Sequence, residues 1–461
     1  MLFDPLTTQN VFRGSTPGAL EGPYISQFLL AGTNAISGGT GGTPGFPGLA
    51  SQFDAEDGFI SYGTQIIDQR VSTHKACLDY MTNWSHWLDV QNGANFKGAD
   101  QFESERRFIT TPRDLATYVH FDALYQAYLN ACLILLGIGT PTSKGFPEPS
   151  ISGNRDAFAT YGGPHILSLV TEVATRCLKA VRRQKFNYHR RARPESLGGR
   201  LSLVSANKHV HALGSSATDF ERTFNEIPQQ IRDAIVAHNA EQDLNTMGAV
   251  QCQKSIYPCK LNKKTFPSNN LLLPMAFPEG SPMHPAYGAG HATVAGGCVT
   301  MLKAFFEMYD NSNIDSSKLN AYSNGRRILK IGDKDYFEPN ATGKKLMNKS
   351  GSALTIQGEL DKLAANISIG RNIAGVHYYS DYYDSLRMGE RIAIGILMEQ
   401  APTYGDSMET SFDSFDGDAI KISGEAGTCP TLLVMNRNGK PVASHDWWLR
   451  HTVGEEMILD L

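Results

Sequence analysis

The chain has 461 residues, 41% of them hydrophobic and 19% charged, with a formal net charge of −4. This is the composition of an ordinary globular protein, long enough for one large or two to three ordinary domains. It excludes a chain-wide basic surface for nucleic acid. No apolar run approaches the length of a membrane span, and the most apolar patch, Ala131–Gly137, is far too short. Met1-Leu-Phe-Asp-Pro5 lacks a charged segment followed by an apolar one, so no signal peptide is visible. The seven cysteines (77, 132, 177, 252, 259, 298 and 429) are odd in number and scattered, which favours buried thiols over a disulfide framework. Cys252 and Cys259 alone lie close enough in sequence to close a small loop.

Residues 1–60 show no periodicity and are rich in Gly, Pro, Thr and Ser. Within them Gly38-Gly-Thr-Gly-Gly-Thr-Pro-Gly45 lacks the Lys-Ser/Thr ending of a phosphate loop and reads as a plain loop. A helical pattern is predicted from Gly63 to Trp87, and a second from Pro112 to Leu136, where Leu115, Tyr118, Leu124, Ala127, Ala131 and Leu135 recur at helical spacing. A third runs from about Asp156 to Arg183, and shorter helices fit Thr218–Glu226 and Pro228–His238. From His291 a small, apolar sequence predicts a buried helix, and Ser352–Ile373 and Ser380–Gln400 also read as helices. Strand-like runs are few: Arg327–Ile331, Ala419–Ile422 and Thr431–Asn436, the last ending in an Asn438-Gly439 turn. The expectation is an all-α core of helical bundles over 61–400, preceded by the loop-rich segment 1–60. A peripheral segment with a β-hairpin follows over 401–461.

Three stretches carry chemistry. In Arg182-Arg-Gln-Lys-Phe-Asn-Tyr-His-Arg-Arg-Ala-Arg-Pro194, six of thirteen residues are cationic and none is acidic. Pro194 takes Arg193 out of helical geometry, so Lys185 on a helix end and Arg193 on an extended segment can converge. Such a patch is either a solvated helix C-terminus or an oxyanion clamp. In Ser281-Pro-Met-His-Pro-Ala-Tyr-Gly-Ala-Gly-His-Ala-Thr293, an irregular Pro/Gly loop delivers Gly290 and His291 into a helix N-terminus, where unpaired N–H groups bind anions. In Ile369-Gly-Arg-Asn-Ile-Ala-Gly-Val-His-Tyr-Tyr-Ser-Asp381, Gly375 interrupts a helix. The break allows Arg371 and His377 to face one site, with Asp381 one turn on to fix the histidine tautomer.

Taken together, Lys-x7-Arg-Pro, Gly-His opening a helix and Gly-Arg-x5-His-x3-Asp resemble the three-part signature of vanadium haloperoxidases and related acid phosphatases. Gln9-Asn-Val-Phe-Arg-Gly14, Phe158-Ala-Thr-Tyr-Gly-Gly-Pro-His165, His189-Arg-Arg-Ala-Arg-Pro-Glu195 and Ser281-Pro-Met-His-Pro-Ala-Tyr287 resemble the vanadium bromoperoxidases of red algae and cyanobacteria. The resemblance covers about residues 9–400, and members of that family carry a longer N-terminal part.

What the resemblance implies is an all-α enzyme that holds orthovanadate and uses hydrogen peroxide to oxidise bromide or iodide, halogenating organic acceptors. His377 would ligate vanadium, while Lys185, Arg193, Arg371 and the Gly290 N–H would hold the oxygens. His291 would be the acid–base group and Lys185 would polarise peroxide. Arg182 and His284 would handle halide, and Asp381 would support His377. A calcium site near Asn154–Asp156 and a homo-oligomer are implied as well. One departure stands out: the family's Ser-Gly-His is Ala289-Gly-His here, which removes a hydroxyl donor.

The alternatives are a phosphatase using His377 as nucleophile and a non-catalytic oxyanion-binding protein. His209-Val-His211 lacks a third metal ligand nearby. Trp84, Trp87, Trp447 and Trp448 read as packing residues without the basic track of a nucleic-acid platform.

Overall fold

One helix, Gly290–Phe305, is apolar almost all round and runs through the core, packed most closely against Tyr379–Gln400, Gly163–Arg183 and Ile356–Ile373. From Ala292 to Phe305 every residue is buried, as expected of a helix without a polar face. The structure is a computed structural model describing residues 8–33, 53–62, 64–96, 98–146, 160–206, 210–246, 269–310, 325–331, 334–351 and 353–449. In chain order the elements are α1 (Thr8–Arg13), the hairpin β1 (Phe59–Tyr62) and β2 (Gln65–Asp68), α2 (Trp84–Gln91), α3 (Pro112–Tyr118), α4 (Gln126–Gly137) and α5 (Gly163–Arg183). Next come α6 (Pro194–Ala206), α7 (Ala217–Glu226), α8 (Gln229–Thr246), the central α9 (Gly290–Phe305) and a hairpin of β3 (Tyr336–Pro339) and β4 (Leu346–Lys349). α10 (Ile356–Ile373), α11 (Tyr379–Gln400), strands β5 (Met408–Asp413), β6 (Ala419–Gly424), β7 (Thr431–Met435) and β8 (Pro441–Val442), and α12 (Ser444–Leu449) complete the chain. The expected predominantly helical architecture holds.

Glycines let the central helices meet closely. A Cβ on Gly296 of α9 would lie 1.9 Å from the Leu386 carbonyl oxygen of α11, and one on Gly389 would lie 2.0 Å from the Thr293 oxygen. On another face Gly297 admits the Cys177 Sγ of α5, 2.4 Å from where its Cβ would stand. The one lysine of α9, Lys303, is fully buried but paired: Nζ donates to Asp361 Oδ1 at 2.9 Å and the Asp413 carbonyl at 2.7 Å, beneath the Phe415 ring. Buried charge is tolerated on those terms.

Side chains of α10 tie down the N-terminal segment. Asn366 donates to the Phe12 and Tyr24 carbonyls and accepts from Ser26 N, and Glu359 accepts from Gln27 N. The strands β5 to β8 form one antiparallel meander in chain order. Phe412 opposes Ile420, which opposes Val434, and all three inward residues join the helical core. The expected strands at 419–422 and 431–436 are present, with Gly439 left-handed in the turn that follows.

Three sequence expectations need correction. Where a helix is expected over 63–87, the described residues form the second strand of a hairpin, β2, then an extended run and only then a helix. Asn83 accepts a hydrogen bond from His86 N and so caps a helix beginning at Trp84. Upstream, Val71, His74 and Tyr80 give their backbone pairing to Arg107, Phe102 and Met275 instead of to a helix. The helix over 112–136 is two helices separated by Val119–Tyr125, because the Val119 carbonyl and the Asp122 carboxylate are recruited by Arg371 and His291. The run 327–331 makes only isolated bridges, Ile328 with Thr355 and Ile331 with Lys334.

Cys132, Cys177 and Cys298 are buried free thiols, whereas Cys77 and Cys429 are exposed ones. The loop at 38–45, the Cys252–Cys259 pair, His209 and the calcium site at 154–156 lie outside the described residues. Among the described residues no helix is long and apolar enough to cross a membrane, and no His/Cys/Asp/Glu cluster suits a metal ion.

Candidate active site

The basic stretch leaves α5 through a π-helical turn, Gln184–His189, and Arg190 takes a left-handed conformation at φ 47°. That turn buries Lys185 and sends the chain back, so that Arg193, immediately before α6, reaches the same place. Both cations grip the loop ahead of α9. Lys185 Nζ donates to the Pro285 and Ala286 carbonyls at 2.6 and 3.1 Å, and Arg193 Nε donates to the His284 carbonyl at 2.8 Å. Arg191 O accepts from Ala286 N at 2.9 Å, and buried Ser385 Oγ accepts from Ala289 N at 2.8 Å. Glu195 accepts from Ser281 N and so fixes the loop's beginning. At its end, α9 opens on Gly290, beside which a Cβ would meet nothing nearer than Leu178 Cδ1 at 4.0 Å. Ala289 is the N-cap and offers no side-chain cap.

Gly375, at φ 83°, ends the turn after α10 and reverses the chain. Arg193 Nη1 donates to the Val376 carbonyl at 2.7 Å and stands 3.2 Å from His377 Nε2. On the other side of that imidazole, Nδ1 lies 3.0 Å from Asp381 Oδ2. Asp381 is fully buried, accepts from Tyr378 N, and pairs with Arg191 Nη1 at 2.8 Å. An ionised carboxylate accepts only, so Nδ1 carries the proton and Nε2 presents its lone pair to the cations. Arg371 is buried in the last turn of α10. Its Nη1 donates to Val119 O at 2.8 Å, while its buried Nε has no partner among the described residues. His291, in the first turn of α9, holds Asp122 Oδ1 at 3.0 Å through Nε2.

The electrostatics follow from burial and crowding of like charge. Desolvation, with Arg193 and Arg371 nearby, brings Lys185 down to about 7. Arg193 and Arg371 fall to about 10, in both cases mainly through burial. Burial and the same cations push His377 well below its ordinary value and His284 down to about 4. His291 is lowered by burial, with Asp122 opposing and Arg371 adding to the shift. Asp381 is raised by burial and restrained by its hydrogen bonds and by Arg191. Three buried cations, with Arg371 lowering both Lys185 and Arg193, stand beside an orphan guanidinium N–H and the open start of a helix, a cradle whose chemistry suits a multiply charged oxyanion.

Lys185, Arg193, Gly290, His291, Arg371, His377 and Asp381 are thus brought together, as the sequence leads one to expect. His284 is exposed, yet its Nδ1 stands 2.9 Å from Arg193 Nη2. Arg182 is exposed on the last turn of α5. Sequence reasoning missed Asp122, Arg191, Glu195 and Ser385. Asp122 falls inside an apparently continuous helical pattern, and Arg191 and Glu195 stand within a motif whose spacing gives them no role of their own.

The fold is mainly helical, and it sets a histidine presenting Nε2 among buried cations and a second histidine–aspartate pair at a helix start. No family model matches the chain. It is 44% identical over 423 residues to the vanadium-dependent bromoperoxidases of Corallina pilulifera and Corallina officinalis, covering 90% of this chain and 63% of each relative. It is 30% identical over 422 residues to that of Ascophyllum nodosum, covering 91% of this chain and 62% of the relative. The chain is a homologue of the vanadium-dependent bromoperoxidases, and it spans less than two thirds of the length of these relatives. The homohexameric structure of the second vanadate-dependent bromoperoxidase of Ascophyllum nodosum shares the fold at a TM-score of 0.66 and 22% identity, over 93% of this chain and 63% of that one.

Proposed function

We propose that the chain is a vanadium-dependent bromide peroxidase, which oxidises bromide or iodide with hydrogen peroxide to a hypohalous-acid equivalent that halogenates organic acceptors. The observation that carries this reading is His377 Nε2, deprotonated by the Nδ1–Asp381 contact and facing Lys185, Arg193 and Arg371. His377 Nε2 would ligate the metal, the three cations and the Gly290 N–H would hold the oxygens, and the unpartnered Arg371 Nε fits that task. Bound vanadate supplies a Lewis acid of constant oxidation state that polarises peroxide for attack by halide.

The chain's own residues do the rest. Asp122 keeps the proton of His291 on Nε2 and leaves Nδ1 basic, ready to accept the proton hydrogen peroxide gives up. With a value near 7, Lys185 is a strong hydrogen-bond donor that can also release its proton. His284 and Arg182 are proposed to act on halide. The hexameric state of the Ascophyllum relative supports a self-associating chain here.

Steady bromide oxidation dependent on orthovanadate, and competitively inhibited by phosphate, tests the reading. Hydrolysis of an aryl phosphate without bromide oxidation would assign the pocket to a phosphatase instead.

A further inference from the structure

A second cavity, of about 640 Å³, lies beside the segment that separates α3 from α4. This volume lies within the usual range for small-molecule sites, roughly 300–1,000 Å³. Its walls include Val71, Phe102, Phe121 and Leu129, and its rim carries Arg70 and Arg106. Two of those aromatics face solvent to an unusual degree: Phe102 is 39% and Phe121 56% exposed. Their rings stand 5.7 Å apart at 54°, so a planar ligand can lie along either face. The rim is positive. Asp68 is shared by Arg70 at 3.1 Å and Arg106 at 3.3 Å, two cations on one carboxylate, and among the described residues the cavity lining holds no other charged side chain.

The cavity wall is continuous with the chemistry. Phe121 lies between His120 and Asp122, and Asp122 holds His291. The Phe121 ring packs on His120 at 4.5 Å, and His120 stacks on Phe277 at 3.6 Å. The same short segment contributes Val119 O to Arg371. One loop therefore carries the partners of two site residues on one side and a cavity wall on the other.

We propose that this cavity binds the organic halogen acceptor, and that it selects an electron-rich arene bearing an anionic group, such as a phenol carboxylate. The aromatic walls take the ring, and Arg106 with Arg70 takes the anion. This rests on the haloperoxidase reading. Hydrogen peroxide, bromide and a proton give hypobromous acid and water. A ring carbon of the held arene then takes bromine from hypobromous acid: the O–Br bond breaks, a C–Br bond forms, and the displaced ring proton and the hydroxide leave as water.

The test separates binding from turnover. Binding of 4-hydroxyphenylacetate and of neutral 4-methylphenol is measured calorimetrically on the whole chain without vanadate or peroxide. Iodide oxidation, followed as triiodide and needing no organic acceptor, is measured in parallel. Phe102→Ala is expected to weaken both ligands about tenfold. Arg106→Gln is expected to weaken the carboxylate about tenfold and 4-methylphenol not at all. Triiodide formation is expected to stay unchanged in both variants. Absence of arene binding in a chain that oxidises iodide overturns the proposal alone, as does binding indifferent to both substitutions. Arene binding as described in a chain that never oxidises iodide overturns the haloperoxidase reading and the acceptor role with it, leaving an arene site of another purpose.

Discussion

Asp381 Oδ2 stands 3.0 Å from His377 Nδ1, and this one contact decides which nitrogen of the imidazole faces Lys185, Arg193 and Arg371. With Arg191 on its other oxygen, Asp381 is held as an acceptor, which leaves the lone pair of His377 Nε2 free for the proposed vanadate. Asp381→Asn removes the charge and lets the imidazole adopt either tautomer. Losing such a partner typically costs about 10–100-fold in metal affinity. Equilibrium dialysis with orthovanadate should show a loss in that range, with a smaller one for Arg191→Ala that Arg191→Lys partly restores. Affinity unchanged in Asp381→Asn would remove the carboxylate from the account.

His291 and Asp122 are predicted to separate chemistry from binding. Acid–base groups contribute roughly 10²–10⁴-fold to rate. His291→Ala should lower kcat for bromide oxidation within that range while vanadate affinity falls far less. Asp122→Asn should act in the same direction and displace the acidic limb of the pH profile. Loss of vanadate in proportion to rate would mean that His291 binds instead of reacts.

The pH behaviour of the cradle follows from Lys185, held at about 7 in the fold against an ordinary 10.5. Between those values the unfolded chain carries a proton that the folded chain has released, so this group makes the ligand-free fold more stable as pH rises through that window. Anion binding has the opposite dependence, since it needs the ammonium. Sulfate, which does not titrate there, should bind more weakly above pH 7, approaching about tenfold per unit. In Lys185→Met that slope should vanish, and a slope that persists would place the titration elsewhere.

Ala289 caps α9 without a side chain. Ala289→Ser adds an N-cap hydroxyl, typically about 0.5–2 kcal/mol of stability, and a donor beside the cradle, where a bond to a charged group is worth roughly 1.5–3 kcal/mol. Vanadate affinity should rise about tenfold or more, and thermal unfolding should move upward. Unchanged affinity would show that the hydroxyl does not reach the oxyanion.

Gly296→Val tests the packing of α9 on α11. A Cβ at that position would lie 1.9 Å from Leu386 O, against backbone that cannot yield cheaply. Overpacking of this kind costs typically about 1–3 kcal/mol or more. A lowered melting temperature is expected, whereas an unchanged one would mean the helices separate freely.

Much of this was legible in the sequence because local chemistry and tertiary role coincide. Pro194 opens a helix but keeps Arg193 before it out of helical geometry, and Gly375 reverses the chain at φ 83°, so the breaks that let Lys185 meet Arg193 and Arg371 meet His377 are readable from backbone rules. The apolar run after His291 had to be buried. Where tertiary bonds override local pattern, the sequence misleads. Val119–Tyr125 carries helical periodicity, but its carbonyl and carboxylate serve Arg371 and His291, and so Asp122 was invisible. The run from Gly63 to Met81 looks helical by spacing, but its backbone pairs with Arg107, Phe102 and Met275, partners no periodicity reveals. Ser385 is close to Ala289 only because Gly296 and Gly389 let two helices touch.

His377 is proposed to hold vanadate in a cradle of cations where peroxide oxidises halide. The most direct measurement is bromination of a phenol-sulfone dye by vanadate-stripped protein with peroxide and bromide, before and after adding orthovanadate, in the wild type and in His377→Ala. Turnover that appears with orthovanadate in the wild type and is absent in His377→Ala is the predicted result. Turnover indifferent to orthovanadate, or undiminished in His377→Ala, would contradict the account.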